Sequence, residues 1–210
     1  MSDRIKNDGK GLLIVVSGPA GSGKGTVLRE LLREEEYRLS VSATTRAPRP
    51  GEVDGVNYHF LTRENFLARM AAGEMLEYTE YCGNYYGTPK KEAEEVLASG
   101  KNLLLEIEVE GAFNVKKAYP EAVLIMLLPP SYAVQEARLR GRGTESEDKI
   151  LERLARTRAE IALVRDYDYV VYNHDGKIDK AVEDVRAIVR AEACAIARNP
   201  HAAEQYFNET

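Results

Sequence analysis

The sequence predicts a single α/β domain in which helices cover both faces of a parallel β-sheet. Two patterns predict this fold class. Short apolar runs recur along the chain, as expected for strands that are buried on both faces, and helical patterns separate these runs. The chain has 210 residues, of which 44% are hydrophobic, so it can bury one substantial core, and no low-complexity linker divides it.

Each strand and helix is predicted from its local pattern. The apolar runs that predict strands are 12–16, 103–107, 123–128 and 169–172. The patterns that predict helices are 27–32, 89–99, 131–140, about 145–164 and 178–189. Thr144 and Glu147 are spaced as a capping box, which favours a helix start at about residue 145.

The segment from about residue 39 to residue 86 has a different pattern, with short alternating stretches and little helix. We expect it to form a small, mostly antiparallel insertion at one end of the main sheet. Because ligands of open α/β sheets bind beyond the carboxyl ends of the strands, this insertion would form one wall of a binding site. Its predicted strands are 56–60, 75–81 and 84–87, and its predicted helix is 64–72.

A glycine-rich stretch follows the first predicted strand and precedes the first predicted helix. Glycines there let successive backbone N–H groups point inward, the helix N-terminus adds its positive dipole end, and a lysine supplies a full charge. The stretch therefore predicts a loop that binds the phosphates of a nucleoside triphosphate, in preference to a glycine-rich turn with a solvated lysine. The loop residues are Gly18, Pro19, Ala20, Gly21, Ser22, Gly23, Lys24, Gly25 and Thr26.

This loop departs from the usual pattern at one position. A Ser or Thr normally follows the lysine and ligates Mg²⁺ through its hydroxyl, but here Gly25 follows Lys24 and Thr26 comes one residue later. We therefore expect Thr26 to reach a phosphate oxygen, with Mg²⁺ held mainly by phosphates, waters and a carboxylate. Mg²⁺ tolerates such a site because it keeps much of its hydration.

Composition and charge exclude several classes of protein. The formal net charge is −5 and no basic stripe is evident, which argues against nonspecific binding to nucleic acid. The two cysteines are far apart and lack metal-ligand spacing, so neither a disulfide framework nor a zinc site is expected. Neither a signal peptide nor an apolar run of the ~20 residues that span a membrane is present in the sequence. We expect a soluble, cytoplasmic protein.

Arg46 and Arg49 lie three residues apart in a proline-rich turn, with Tyr58 nearby. Two guanidinium groups and a phenol match a phosphate dianion, because charge-assisted donors fix both its position and its orientation. The alternatives are a solvated loop for the arginines and a core position for Tyr58, whose alternation with Val56 and Phe60 fits a strand equally well. These residues alone leave both interpretations open.

Several longer stretches carry a family resemblance. They are residues 40–52 (SVSATTRAPRPGE), 83–88 (GNYYGT), 105–111 (LEIEVEG), 138–145 (RLRGRGTE) and 170–173 (VVYN). Together with the glycine loop they closely resemble guanylate kinase, over about residues 12–189. The resemblance implies a P-loop fold with a three-layer α/β/α core, a mixed or antiparallel insertion that binds the nucleoside monophosphate, and a helical lid.

The same resemblance implies the reaction and the layout of the chain. The reaction is transfer of the γ-phosphoryl group of Mg-ATP to GMP, giving ADP and GDP, with ATP and GMP as small-molecule partners and neither nucleic acid nor a membrane involved. Mg²⁺ is the implied cofactor. The implied layout is a core at about 11–38, 89–137 and 165–199, a GMP-binding subregion at about 39–88 and a lid at about 138–164.

The GMP site implied by the resemblance has a phosphate end and a base end. A carboxylate can accept both the N1–H and the N2–H of guanine, whereas the unprotonated N1 of adenine would meet the carboxylate lone pairs. Such a site discriminates strongly because a buried polar group without its partner bears a desolvation cost. The implied residues are Arg46, Arg49, Tyr58 and Tyr86 at the phosphate, and Ser42, Glu77 and Thr88 at the guanine.

Glu106 and Glu108 alternate with Leu105 and Ile107 at the end of a predicted strand. Their spacing allows both carboxylates to lie on one face at the carboxyl end of that strand, where an acid that organises magnesium belongs. The alternative is a pair of surface acids at the sheet end. The resemblance implies that Glu108 faces GMP and that Glu106 lies nearer the metal, so the metal-site candidates are Thr26 and Glu106, with direct contact and contact through water both left open.

Arginines cluster in the predicted lid. Gly141 and Gly143 flank Arg142 and indicate a hinge, so this arginine is expected on a mobile lid. Arginines that close over the reaction stabilise charge on the transferred phosphoryl group, although a solvated helix face is the alternative for each. The implied catalytic residues are Lys24, Arg138, Arg142 and Arg153, and Asn173 is the implied contact on the adenine side of ATP.

Three other functions fit parts of the sequence. A kinase that acts on another acceptor, such as AMP or a phosphorylated sugar, would share the loop and the lid. A guanylate-kinase-like scaffold module would bind a partner peptide, but such modules typically have a degraded phosphate loop, whereas this loop is intact. A nucleotide switch or motor ATPase would not need the Arg46, Arg49 and Tyr58 group.

Overall fold

The computed structural model describes residues 9–81, 83–141, 143 and 146–208, without the side chains of Gln205 and Asn208. Arg142 and Thr144, predicted as a lid arginine and a helix cap, lie outside the described residues. The strands are β1 (Leu13–Ser17), β2 (Tyr37–Leu39), β3 (Ala43–Thr44), β4 (His59–Phe60), β5 (Met75–Tyr81), β6 (Asn84–Pro89), β7 (Asn102–Glu106), β8 (Val123–Leu128) and β9 (Tyr169–Tyr172). The helices are α1 (Lys24–Leu31), α2 (Arg63–Ala71), α3 (Lys90–Ala98), α4 (Val109–Ala118), α5 (Tyr132–Gly141), α6 (Glu147–Ala162), α7 (Ile178–Ala193) and α8 (Ala202–Asn208).

The core is a five-stranded sheet in the order β2-β7-β1-β8-β9, with every pairing parallel. In the central strand, Val15 lies opposite Leu105 on one side and Leu124 on the other. Successive side chains point to opposite faces, and both faces are packed: Ile14 contacts the cluster formed with α1 and α7, and Val15 the cluster formed with α3 and α4. Three layers result, which confirms the predicted fold class.

A second, four-stranded sheet in the order β4-β3-β6-β5 forms the predicted insertion. Strand β6 pairs antiparallel with both β5 and β3, while β3 and β4 are parallel, so the sheet is mixed. Phe66 of α2 is fully buried against Ala43 and Met75 and gives the insertion a small core of its own. Residues of the insertion share one cavity with the loop that follows β1 and with Glu106 at the end of β7.

The predicted strand 56–60 is wrong over most of its length, since only His59 and Phe60 form strand. Two side chains explain the difference. The Val53 N–H donates to Asn57 Oδ1 (2.8 Å) and the Phe60 N–H to Asp54 Oδ1 (2.8 Å), so side-chain acceptors replace a strand ladder and stabilise a turn. Val56 is consequently exposed.

Other differences concern element ends and short elements. The long lid helix begins at Glu147 after Ser146, two residues later than predicted. Strands β2 and β3 and helices α4 and α8 were not predicted, although Val109, Ala112 and Val115 bury one face of α4 at helical spacing. None of the helices formed by the described residues is long and apolar enough to cross a bilayer.

The core packing makes a stability prediction. Leu104 is fully buried in the central sheet, whereas Leu151 on α6 is half exposed. Leu104→Ala should lower the free energy of unfolding by about 2–5 kcal/mol, because the lost transfer energy adds to the cost of a cavity. Leu151→Ala should change it by less than about 1 kcal/mol. Urea unfolding monitored by circular dichroism measures both, and equal losses would contradict this packing.

Candidate active site

One cavity of about 610 Å³ lies between the glycine-rich loop, the carboxyl end of β7, the insertion sheet and helix α6. It brings together residues that are far apart in the chain. Most of the glycine loop lines one side, from Pro19 to Thr26. The other lining residues are Arg29, Ser42, Tyr58, Glu77, Thr79, Tyr81, Tyr86, Gly87, Glu106, Ile107, Glu108, Arg153, Arg156 and Glu160.

The glycine loop has positive φ at three glycines, Gly18, Gly21 and Gly23, and at two of them a side chain would also clash with its surroundings. Gly18 has φ 152° and Gly23 has φ 90°, and Gly23 is the residue before α1. A Cβ at Gly18 would lie 2.1 Å from the Leu127 carbonyl oxygen, and one at Gly23 would lie 2.2 Å from Asn173 Nδ2. The glycines therefore allow the loop to pack directly on its surroundings, with the N-terminus of α1 facing the cavity.

The carbonyl groups of the loop are held by side chains from other elements. Lys24 folds back and donates to the Gly18 carbonyl. Three consecutive carbonyls each accept a hydrogen bond from the far side of the loop, which fixes the orientation of their peptide planes. The three bonds are Gln135 Nε2 to Ala20 O (2.9 Å), Arg138 Nη1 to Gly21 O (3.1 Å) and Asn173 Nδ2 to Ser22 O (2.9 Å).

This arrangement locates Arg138 and Asn173 behind the loop. Neither residue lines the cavity. Arg138 also donates to the Asn173 carbonyl (2.8 Å) and pairs with Asp175 (2.6 Å), so its guanidinium is engaged on several sides. In this structure the two residues support the loop backbone. Arg153 does line the cavity, from helix α6.

Ser22 contributes an unsatisfied group to the loop. Its hydroxyl is buried and has no hydrogen-bond partner among the described residues, although buried polar atoms normally have one. Ser22 lines the cavity. The loop thus combines backbone amides at a helix N-terminus, a lysine and an unpaired hydroxyl, and all of these suit a phosphate.

Arg46 and Arg49 do not line the cavity, although Arg46 lies against Tyr58, which does. Arg46 Nη2 donates to Glu52 Oε1 (2.9 Å), and the Arg49 N–H donates to Glu52 Oε2 (2.7 Å). These hydrogen bonds lower the pKa of Glu52. Glu52, which sequence reasoning did not assign, closes the turn and orients Arg46, whose guanidinium lies 5.4 Å from the centre of the Tyr58 ring.

Three tyrosines line the wall between this turn and helix α6. Tyr58 and Tyr86 meet edge to face with ring centroids 6.1 Å apart, and Tyr81 meets Tyr86 at 6.3 Å. The Arg156 guanidinium of α6 lies 4.5 Å from the centre of the Tyr81 ring and donates to its hydroxyl. Side-chain contacts therefore link the insertion to the predicted lid along one side of the cavity.

Glu77 is a buried carboxylate in the cavity wall. It is 6% exposed, and Thr88 Oγ1 donates to its Oε1 at 2.8 Å. Burial raises the pKa of Glu77 to about 7, and the hydrogen bonds from Thr88 only partly oppose that rise. Ser42 lines the cavity as well, whereas Thr88 does not. Thr88 therefore orients Glu77, and Glu77 faces the cavity.

Glu106 and Glu108 both line the cavity, but the predicted alternation along one strand is wrong. Strand β7 ends at Glu106, and Glu108 is the residue that precedes helix α4. Desolvation by the cavity walls raises the pKa of Glu106, Lys24 opposes this, and Glu108 adds to it. The chain turns from strand to helix here because Val109 begins the buried face of α4.

Sequence reasoning missed Arg156 and Glu160 as cavity residues. Burial, and then repulsion from Glu108, raise the pKa of Glu160, while Lys24 and Arg156 lower it. Arg153, Arg156 and Glu160 are spaced i, i+3 and i+7 along α6, which is the spacing of one helix face. This spacing was the available signal, but it does not reveal which face of the helix meets the cavity.

The described residues therefore define a class of protein: an α/β/α nucleotide-binding kinase, with a phosphate loop on one side of the cavity and a buried carboxylate on the other. The guanylate kinase family model matches residues 10–192. The chain belongs to the guanylate kinase family. This confirms the family that the sequence resembled and the enzyme class that the resemblance implied.

The similarity to known guanylate kinases covers most of the chain. A guanylate kinase of Halalkalibacterium halodurans is 53% identical over 186 residues, which cover 88% of this chain and 90% of that protein. A guanylate kinase of Streptococcus pneumoniae R6 is 50% identical over 191 residues, covering 90% and 91%. The crystal structure of guanylate kinase from Anaplasma phagocytophilum superposes with a TM-score of 0.77 at 33% identity, over 95% of each chain.

Burial of Glu77 predicts how stability depends on pH. Folding raises the pKa of Glu77 from 4.5 to about 7, so the folded state holds this proton more tightly than the unfolded state does. The free energy of unfolding should therefore fall as the pH rises through this interval, and Glu77→Gln should remove that fall. Between pH 4.5 and about 7, the free energy of unfolding of the wild type should fall by roughly 3 kcal/mol relative to that of E77Q, as measured by urea unfolding.

A matched control is Glu95→Gln, because the Glu95 side chain is 66% exposed. Its pH profile should run parallel to that of the wild type. If the wild-type profile instead ran parallel to that of E77Q, Glu77 would not be the buried acid described above.

Proposed function

We propose that this chain transfers the γ-phosphoryl group of ATP to GMP, giving ADP and GDP. The observation that carries the proposal is that one cavity joins the glycine loop to the buried carboxylate of Glu77. A phosphate cradle alone fits any nucleotide-driven protein. A second polar subsite in the same cavity, built around a carboxylate, fits an acceptor that presents hydrogen-bond donors.

On the donor side, the loop binds the phosphates of ATP. Backbone amides at the start of α1, the Lys24 ammonium and the Ser22 hydroxyl hold the β- and γ-phosphates. Asn173, which the resemblance assigned to the adenine side, lies behind the loop and supports the Ser22 carbonyl instead. Arg138 acts in the same way on the Gly21 carbonyl.

On the acceptor side, the guanine is held by Ser42 and Glu77, with Thr88 orienting the carboxylate. Glu77 accepts from N1–H and N2–H of the base, so an adenine in the same position would leave the buried carboxylate unpaired. Tyr58, Tyr86, Arg46 and Arg49 hold the GMP phosphate, with Arg46 turning from Glu52 toward it. Glu108 lies on the GMP side of β7.

Mg²⁺ accompanies ATP in this proposal, and the residues present fit it. Mg²⁺ prefers oxygen ligands and usually keeps several waters, using one or two carboxylates plus substrate phosphates. Thr26 and Glu106 supply oxygen atoms in the same cavity as Lys24. Among the described residues, no group of three or more His, Cys, Asp or Glu side chains could hold a metal by itself. When bound, the ion would neutralise phosphate charge and orient the phosphates.

The protein's part in the reaction is positioning and charge stabilisation. An oxygen of the GMP phosphate attacks the γ-phosphorus directly, so no side-chain nucleophile is needed. Lys24 and Arg153 stabilise the negative charge that spreads over the transferred group, and the lid sequence around Arg142 adds to them. Closure over both nucleotides excludes water, the competing acceptor. The proposed compartment for this reaction is the cytoplasm.

Glu77→Gln tests the base subsite. The amide would present an N–H toward the guanine donors, so kcat/KM for GMP should fall by about 10- to 100-fold, the cost of losing a charged hydrogen bond. The KM for ATP should stay unchanged because the donor loop is untouched. A coupled ADP-release assay with GMP and AMP as alternative acceptors measures both. The assignment of Glu77 to the guanine is wrong if the wild type prefers AMP, or if E77Q keeps full activity with GMP.

Replacing Arg46 and Arg49 by Ala tests the phosphate subsite. The affinity for GMP should fall by at least about 10-fold, because two charge-assisted contacts to the phosphate are lost. The affinity for guanosine, which has no phosphate, should not change. Isothermal titration of both ligands separates the contributions, and unchanged GMP binding would place the acceptor phosphate elsewhere.

A further inference from the structure

Gln135 is a buried polar side chain that connects two parts of the active site. It lies on α5 and is 1% exposed. Its Nε2 donates to the Ala20 carbonyl of the phosphate loop at 2.9 Å and to Thr157 Oγ1 of α6 at 2.7 Å. One amide group thus uses both of its N–H donors, one toward the loop and one toward the helix.

Thr157 extends this connection toward the cavity. It is 4% exposed, and its hydroxyl donates in turn to the Arg153 carbonyl at 3.0 Å, one helical turn earlier. The Arg153 side chain lines the cavity. A continuous set of hydrogen bonds therefore runs from the phosphate loop, through Gln135 and Thr157, to the backbone of the residue that carries a cavity guanidinium.

The surroundings of this connection are apolar. Leu139, Ile150 and Leu154 form a buried cluster between α5 and α6, and Ala20 packs against it. A leucine and a valine of similar volume would fill the positions of Gln135 and Thr157 without any need for hydrogen bonds. Buried polar groups are costly unless they are paired, so hydrophobic packing does not account for this pair. The two hydrogen-bonded side chains instead set the distance and the register between the phosphate loop and α6.

We infer that Gln135 and Thr157 are positioning residues for phosphoryl transfer, which hold the phosphate loop and the Arg153 helix in one alignment. This inference rests on the proposed function. Arg138 and Asn173 also hold loop carbonyls, but their described side-chain hydrogen bonds reach Asp175, the Asn173 carbonyl and the loop itself. Gln135 joins the loop to α6 as well. Small displacements between donor phosphates and stabilising groups reduce the rate strongly, because transfer depends on alignment.

Thr157→Val is the sharpest test, since it removes only the hydroxyl and keeps the volume. Both kcat and kcat/KM for ATP should fall by about 10- to 100-fold, as expected when aligned groups shift. The KM and the titrated affinity for GMP should stay at wild-type values, because the described hydrogen bonds of Gln135 and Thr157 go to the phosphate loop and to α6. Gln135→Leu should likewise lower kcat and leave the affinity for GMP unchanged. Thr157→Ser keeps the hydroxyl, so its kcat should be close to that of the wild type.

Stability is measured alongside to separate a structural role from a positioning role. The inference is wrong if T157V and T157S both have the kcat of the wild type. It is also wrong if Q135L lowers the melting temperature but leaves kcat unchanged. The wild type serves as the control for the reaction itself. If wild type fails to phosphorylate GMP, the proposed function is wrong. If wild type is active and T157V matches it, only the positioning role is wrong.

Discussion

The active site depends on how the carbonyl groups of the phosphate loop are held. The carbonyl groups of Ala20, Gly21 and Ser22 accept hydrogen bonds from side chains of α5 and of the segment after β9. A peptide whose oxygen is held in one direction has its N–H held in the other, because the peptide unit is planar. The helix N-terminus and Lys24 complete the cradle. The loop is therefore preorganised for phosphate by residues that themselves do not line the cavity.

The subsite proposed for the acceptor depends on a different physical effect, the burial of a carboxylate. Glu77 is desolvated in the wall of the cavity and accepts hydrogen bonds from the side chain and the backbone of Thr88. Because an ionised carboxylate is costly to desolvate, a ligand with two adjacent N–H groups is a favourable occupant of this position. In the proposed function, the same burial that raises the pKa of Glu77 makes this subsite selective for guanine. The arginine turn is held by Glu52, which pairs with Arg46.

Helix α6 connects the two subsites. Its residues Arg153, Arg156 and Glu160 line the cavity between them. Thr157, on the buried side of the helix, contacts the donor side through Gln135, and Arg156 contacts Tyr81 of the insertion. A helix that meets both subsites transmits a displacement of either to the other, since protein interiors are closely packed. Helix α6 therefore contacts both the phosphate-loop side and the insertion side of the same cavity.

The sequence by itself determined the layered α/β class, the glycine loop and the family, because alternating apolar runs and ordered motifs are local properties. It also identified Glu77, Tyr58 and Arg153, all of which the tertiary structure brings to one cavity. Only the tertiary structure decided that Arg138 and Asn173 lie behind the loop, that Glu108 precedes a helix, and that Gln135 joins the loop to α6. The positions of Arg138, Asn173 and Gln135 behind the loop depend on contacts between residues over 100 positions apart, such as Ala20 and Gln135, and no local pattern encodes which faces of two distant elements meet.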